Sequence, residues 1–342
     1  MFYIILVFFS FGLGIILSNQ IKSKIKFFFQ EMESKDVPGE INLNDSINDF
    51  YLNIKAPDLE KLQSRRNLAL TANYLPDSLQ SDIKAELKYN DLKFNTKIAL
   101  TGGLNEHFSH KNKWSFKLKL EDDKKINGMS KFAFIYPNAR GYLTDWLAYK
   151  LLKSRGGIYL RIGFCDVHLN KKYLGLYYLE ERFGDHILIN NDLENGIIFR
   201  MKIALKNEDI STSFNYNTNL KFYNLKNILK DSALKSQLAE IKQLWFSFYS
   251  GKLAAKEVFD LKKFATVFAV SDLLNSKHGY SVHNLRFYYN PTTKLFEPIG
   301  REWMNIDSGP PANKKFGTLT IEGELPENTQ WDNVYLKNLI IE

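Results

Sequence analysis

Between Ile83 and Leu120 the chain alternates apolar and polar side chains three times, as IKAELKY at 83–89, LKFNTKIAL at 92–100 and WSFKLKL at 114–120. A period of two puts every second side chain on one face of an extended strand. In the third run Trp114, Phe116, Leu118 and Leu120 share one face, while Ser115, Lys117 and Lys119 share the other. Half-apolar strands of this kind bury that face only by pairing, so the chain must build a sheet of several strands.

The rest of the pattern is mixed. A short strand at Phe50–Ile54 precedes a helix started by Asp58 and carried by Leu59, Leu62 and Leu68, and Met129–Ile135 reads as a further strand. Over Gly141–Ser154, Leu143, Trp146, Leu147, Leu151 and Leu152 recur at helical spacing until Gly156-Gly157 stops them. Strands follow at Tyr159–Leu169 and Tyr173–Leu179 around an Asn170-Lys171-Lys172 turn. Leu225–Tyr249 and Asp260–Ser276 read as helices, and Asn284–Tyr289 with Leu295–Ile299 as a hairpin, whose Arg286 and Glu297 are expected to form a cross-strand ion pair. The polar stretch 203–219 reads as a loop, and the ending LKNLIIE reads as a truncated C-terminus. At 342 residues and 44% hydrophobic, the chain can bury one large core or two lobes.

Some chemistry is excluded. Cys165 is the sole cysteine, so there is no internal disulfide and no cysteine-rich zinc site, and the six histidines lack HExxH spacing. The net charge of +8 suits phosphates or an anionic surface, but no nucleic-acid-binding signature accompanies it. Met1–Leu17 carries no charged side chain and is followed by Lys22, Lys24 and Lys26. It reads as a membrane helix over 1–20, an anchor in preference to a cleaved signal because no basic n-region or small-residue cleavage site is present. A juxtamembrane linker over 21–40, broken by Pro38-Gly39, separates it from the body.

Five stretches carry a family resemblance: KWSFKLKL at 113–120, NGMSKFAF at 127–134, RGYLTDWL at 140–147, VHLNKKYLGLYYLEERF at 167–183 and HNLRFYYNPTTKLFEPIG at 283–300. In this order they resemble the spore-coat-protein-H (CotH) family of atypical protein kinases, over roughly 41–309. The resemblance implies an α+β, two-lobed, atypical protein-kinase-like fold with an N-terminal membrane helix. Its strand-rich N-lobe would span 41–180 and its helix-rich C-lobe 181–342. It implies a membrane-anchored, extracytoplasmic kinase moving the γ-phosphate of ATP, with Mg or Mn, to Ser or Thr of a surface or envelope protein. The alternative is a non-catalytic pseudokinase or binding module of the cell envelope.

Phosphoryl transfer asks for a cation on the phosphates, ligands for the metal and a group that orients the acceptor. By resemblance, Lys117 or Lys119 supplies the cation, Asp145 holds that lysine, Gly102-Gly103 lets backbone amides approach phosphate, and Glu180 lies where the chain passes between lobes. Asn284 and Glu302 fall at the metal-binding positions, with Asp307 as an alternative; the family usually has Asp where Glu302 stands. The acceptor-orienting Asp is missing, because SKHGYSVHN at 276–284 contains no acid. His278 is the substitute base, and Asp272 the nearest upstream carboxylate.

Overall fold

The computed structural model describes residues 48–184, 186–201, 220–276, 278–280 and 284–303. The three alternating runs form strands β2 (Ile83–Tyr89), β3 (Leu92–Leu100) and β4 (Phe116–Leu120), joined in antiparallel register, with Ile83 opposite Ile98 and Ile98 opposite Leu118. β1 (Asn48–Asn53), β5 (Lys131–Ile135), β7 (Ile162–Leu169) and β8 (Lys172–Glu181) complete a closed barrel in the order β1-β2-β3-β4-β5-β8-β7. Closure depends on β1, which lies antiparallel to β2 and parallel to β7, with Asn48 opposite Cys165 and Phe50 opposite Val167. Asn170 clamps the seam: its Oδ1 accepts from Ile54 N at 2.8 Å and its Nδ2 donates to Ile54 O at 2.9 Å. The alternating apolar face fills the barrel with Phe50, Leu87, Ile98, Phe116, Leu118, Phe132, Phe134 and Tyr177.

α1 (Ala56–Ala72) has Pro57 in its first turn and buries Leu62 and Ala69, whereas Leu68 is exposed. α2 (Thr144–Ser154) joins the barrel to the second half of the chain. Its Tyr149 packs on Ala133, Ile135, Ile162 and Tyr178 of the barrel's outer wall. Its Ala148, Leu151 and Leu152 pack on Val267 and Val270 of α6 (Leu261–Leu273) and on Trp303.

The second half is built around another sheet, ordered β10-β9-β11-β12-β6, from β6 (Ile158–Tyr159), β9 (Ile198–Met201), β10 (Leu220–Phe222), β11 (Arg286–Tyr289) and β12 (Phe296–Gly300). Short helices α3 (His186–Asn190) and α4 (Leu225–Ile228) flank it, and α5 (Ser232–Tyr249) covers it. Trp245, Phe199, Phe259, Phe264, Phe287 and Phe296 form one buried aromatic core.

Two expectations are corrected here. The chain does not form the two-lobed kinase-like fold with a membrane helix: its strand-rich part closes into a seven-stranded barrel, and the part expected to be helix-rich is centred on a five-stranded sheet that takes β6 from the first half. Local periodicity identifies strands but not their partners, and the pairings of Asn48 with Cys165 and of Ile158 with Ile299 join distant segments. The expected membrane-anchored localisation is not supported: among the described residues no helix is long and apolar enough to cross a membrane. The segment 1–20, the linker 21–40, the stretch 203–219, Asp307 and the C-terminal end lie outside the described residues.

Smaller differences have local causes. The strand read over Tyr159–Leu169 is split into β6 and β7 because its two parts join different sheets. The helix read over Leu225–Tyr249 restarts at Asp231, whose side chain accepts from Leu234 N at 3.0 Å as an N-cap. Arg286 stands opposite Ile299, not Glu297, so the expected ion pair does not form; Glu297 takes Lys263 and Arg286 donates to Tyr223 Oη at 2.7 Å.

Candidate functional site

Strand register sets one wall of a cleft. Lys117 lies opposite Ala133, and Ala133 opposite Glu180, on the barrel face turned away from the core. Lys117 is half-buried and its ammonium pKa is lowered, first by burial and then by Arg182. Lys119 stands one step further along the same face, exposed, in register with Lys97 and Lys131. The structure therefore separates the two candidates by exposure: Lys117 is half-buried and Lys119 stands on the open wall.

Arg140 is the hub. It follows β5 in a one-turn 3-10 segment, Pro137–Arg140, that ends at Gly141. Its Nε and Nη2 donate to Glu180 Oε2 and Oε1 at 2.7 and 3.3 Å. Nε also lies 3.2 Å from Asp145 Oδ2, and Nη2 lies 3.6 Å from Glu302 Oε1. Asp145 thus pairs with an arginine where a lysine was expected. Its Oδ1 accepts from Trp303 N at 2.7 Å, which ties the start of α2 to the strand end carrying Glu302. Burial pushes the Asp145 carboxyl up to about 7 despite Arg140, while Arg140 overcomes burial to hold Glu180 below its ordinary value.

The third group of residues comes from 278–280 and 284–303. Asn284 donates through Nδ2 to His278 O at 3.0 Å and lies 2.9 Å from His278 Nε2. His278 Nε2 is also 3.4 Å from Glu302 Oε2. The turn at His278–Tyr280 passes so close that a Cβ at Gly279 would stand 2.4 Å from Arg301 O. Glu302 has φ +53°, a left-handed conformation uncommon for any residue but glycine and found where the surroundings dictate geometry. It is ion-paired with Arg301. Burial, then Arg140 and Arg301, push the His278 imidazole down to about 4.

The predicted residues are therefore partly brought together. Asp145, Glu180 and Glu302 line one small cavity together with Arg301, Tyr149 and Trp303. His278 meets Glu302 beside it and Asn284 meets His278. Lys117 is not among its lining residues, and Asp272 sits in the last turn of α6. Gly102-Gly103 has a different role. Gly102 has φ +87° and a Cβ there would stand 2.0 Å from the His107 ring, so the turn is shaped by a buried histidine whose Nδ1 lies 3.0 Å from Ser115 Oγ.

Sequence reasoning missed the arginines. Arg182 donates to Thr101 Oγ1 at 3.1 Å, a neutral partner, and its pKa is lowered by burial. Arg301 and Arg286 both lie over the Phe183 ring, at 5.4 and 5.8 Å, and Phe183 stacks on Tyr223. Among the described residues Arg301 Nε is buried without a hydrogen-bond partner, and burial followed by Arg286 brings its guanidinium down to about 9. The available signal was the neighbouring pair Arg301-Glu302, which places a cation beside one candidate acid, with Arg182 two residues after Glu180.

This region holds cations and carboxylates in nearly equal number, Arg140, Arg182, Arg301 and Lys117 against Asp145, Glu180 and Glu302. The pKa values of its two histidines, His107 and His278, are depressed by burial and then by arginines. Among the described residues no group of three His, Cys, Asp or Glu side chains could hold a metal ion by itself; a Mg²⁺ ion in a nucleotide site takes one or two carboxylates, waters and the phosphates. The carboxylate oxygens of Glu180, Asp145 and Glu302 already face arginine, imidazole or backbone N–H groups. Among these oxygens Asp145 Oδ2 is buried without a hydrogen-bond partner.

Comparison with known proteins completes the picture. The family model described as CotH kinase protein matches residues 98–300, from the end of β3 to the end of β12, and so spans every wall of the cleft up to Gly300. No curated protein matches the chain.

Proposed function

This chain belongs to the CotH kinase protein family, and from that premise we propose that it is a nucleotide-binding, kinase-like protein that holds the phosphate chain of ATP in the arginine-lined cleft without transferring phosphate. The observation that carries this is the buried cluster in which Arg140, Arg182, Arg301 and half-buried Lys117 outnumber the carboxylates Asp145, Glu180 and Glu302 by one. Guanidinium forks match phosphate oxygens in geometry and charge.

Two features argue against transfer. No carboxylate stands in the loop 276–284 to orient an acceptor hydroxyl. The candidate replacement, His278, has a pKa near 4, which makes it a weak proton acceptor at neutral pH. A second reading, phosphotransfer with His278 as base, draws on the His278–Glu302 approach of 3.4 Å.

The test uses the purified full chain with ATP, and with ATP plus Mg²⁺ or Mn²⁺. A rise in melting temperature with ATP, and no gain of phosphate mass on the chain or on added protein acceptors, is the expected result. Phosphate mass that appears in wild type and disappears in His278→Ala would replace this reading with the second.

A further inference from the structure

We propose that the outer face of the barrel across β2, β3, β4 and β5 is a docking surface for an acidic polypeptide segment, held by a transverse row of four lysines. None of the four belongs to the cluster around Arg140, so the surface stands apart from the nucleotide-binding reading.

Strand register builds the row. Lys84 stands opposite Lys97, Lys97 opposite Lys119 and Lys119 opposite Lys131, so four neighbouring strands each present a cation at one level. Adjacent strands lie about 5 Å apart, which brings the four backbone positions within about 15 Å. Lys84 and Lys119 are exposed, and Lys97 and Lys131 are half-buried. The acids beside the row are already engaged: Glu86 pairs with Lys93 at 3.3 Å and Glu121 with Lys97 at 3.2 Å. Lys84, Lys119 and Lys131 have no ion pair among the described residues.

Like charges directly opposite on adjacent strands cost stability in the free chain, and carboxylates seated between the ammonium groups relieve that cost. The barrel is closed, so no strand edge is free for pairing, and a partner on this face is held by side-chain charge. On the same face, Asn95, Ala99 and Ala133 offer no ring on which a base could stack and no large apolar side chain to enter a bilayer. Lysine heads act as point charges without the guanidinium fork that matches phosphate. Carboxylates of an acidic segment, each meeting one ammonium, are the chemistry that fits.

Fluorescence anisotropy of a labelled polyglutamate peptide, titrated with the full chain at low salt, tests this. The wall variant carries Lys84→Gln, Lys119→Gln and Lys131→Gln. A charge-matched control carries Lys226→Gln, Lys230→Gln and Lys235→Gln, all exposed, in and between α4 and α5. The expected result is a loss of affinity of about ten-fold in the wall variant and under about two-fold in the control, with the difference shrinking as salt is raised. The wall variant should also melt no lower than wild type, because the repulsion across the strands is relieved. Should the triple variant fold poorly, Lys119→Gln alone, at an exposed position, gives the same test with a loss of about two-fold to three-fold. Equal losses in wall and control variants would mean that net charge alone attracts the peptide and would overturn the docking surface, as would absence of binding. A single-stranded oligonucleotide of the same charge that binds more tightly than the peptide through the same lysines would overturn the choice of an acidic polypeptide.

Discussion

Arg140 touches three carboxylates from three parts of the chain: Glu180 on β8, Asp145 on α2 and Glu302 beyond β12. Arg140→Ala would strand buried negative charge, and a loss of about 3–5 kcal/mol is expected in urea unfolding; a loss under about 1 kcal/mol would show that the hub is not structural. Asp145 offers a pH test. Its folded-state pKa of about 7 lies above the ordinary carboxyl value because burial outweighs Arg140. The native state therefore holds the proton more tightly, and this stabilisation is full below the ordinary carboxyl pKa and lost as pH rises through about 7. Asp145→Asn retains an acceptor for the Trp303 N–H and removes the titration. The variant should gain melting temperature relative to wild type as pH rises from about 4 to about 8, and a pH-independent difference would refute this. At this scale the sequence exposed acids and lysines through motif position. It did not expose the arginines, because a guanidinium reaching across a cleft leaves no period and no spacing to read.

The elements were more legible. The alternation in β2, β3 and β4 and the helical spacing of α2 were readable because each buries a face that local sequence alone determines. The parallel seam of β1 on β7 was not readable, since it depends on a match between distant segments. Asn170→Ala would remove both hydrogen bonds to Ile54 at that seam, and a loss of about 1–3 kcal/mol with preferential hydrogen exchange in β1 is expected. The outer wall carries a conflict of its own. Lys84, Lys97, Lys119 and Lys131 stand in register across β2, β3, β4 and β5. Like charges directly opposite on adjacent strands are unfavourable. Lys119→Glu should raise stability by roughly 0.2–1 kcal/mol at low salt, with the gain shrinking as salt screens it; an unchanged or lower midpoint would mean the wall is already relaxed by solvent.

For the whole molecule, α2 is the piece that makes one site out of two sheets: Tyr149 grips the barrel while Leu151 and Leu152 grip α6, and Asp145 at its start meets Arg140 and the Trp303 backbone. Family membership was legible from five short stretches, and the family match over residues 98–300 agrees with that reading. The expected two-lobed layout was not, because it was inferred from the order of parts and not from their pairing. The account's central claim is that buried guanidinium groups on this frame hold nucleotide phosphate. Arg182 is the cleanest probe, since glutamine at that position can still donate to Thr101 and the substitution should leave the fold intact. The measurement is the ATP affinity of wild type and Arg182→Gln under identical buffer. At least a ten-fold weakening with an unchanged melting temperature is the predicted result, and equal affinity of the two proteins would contradict the account.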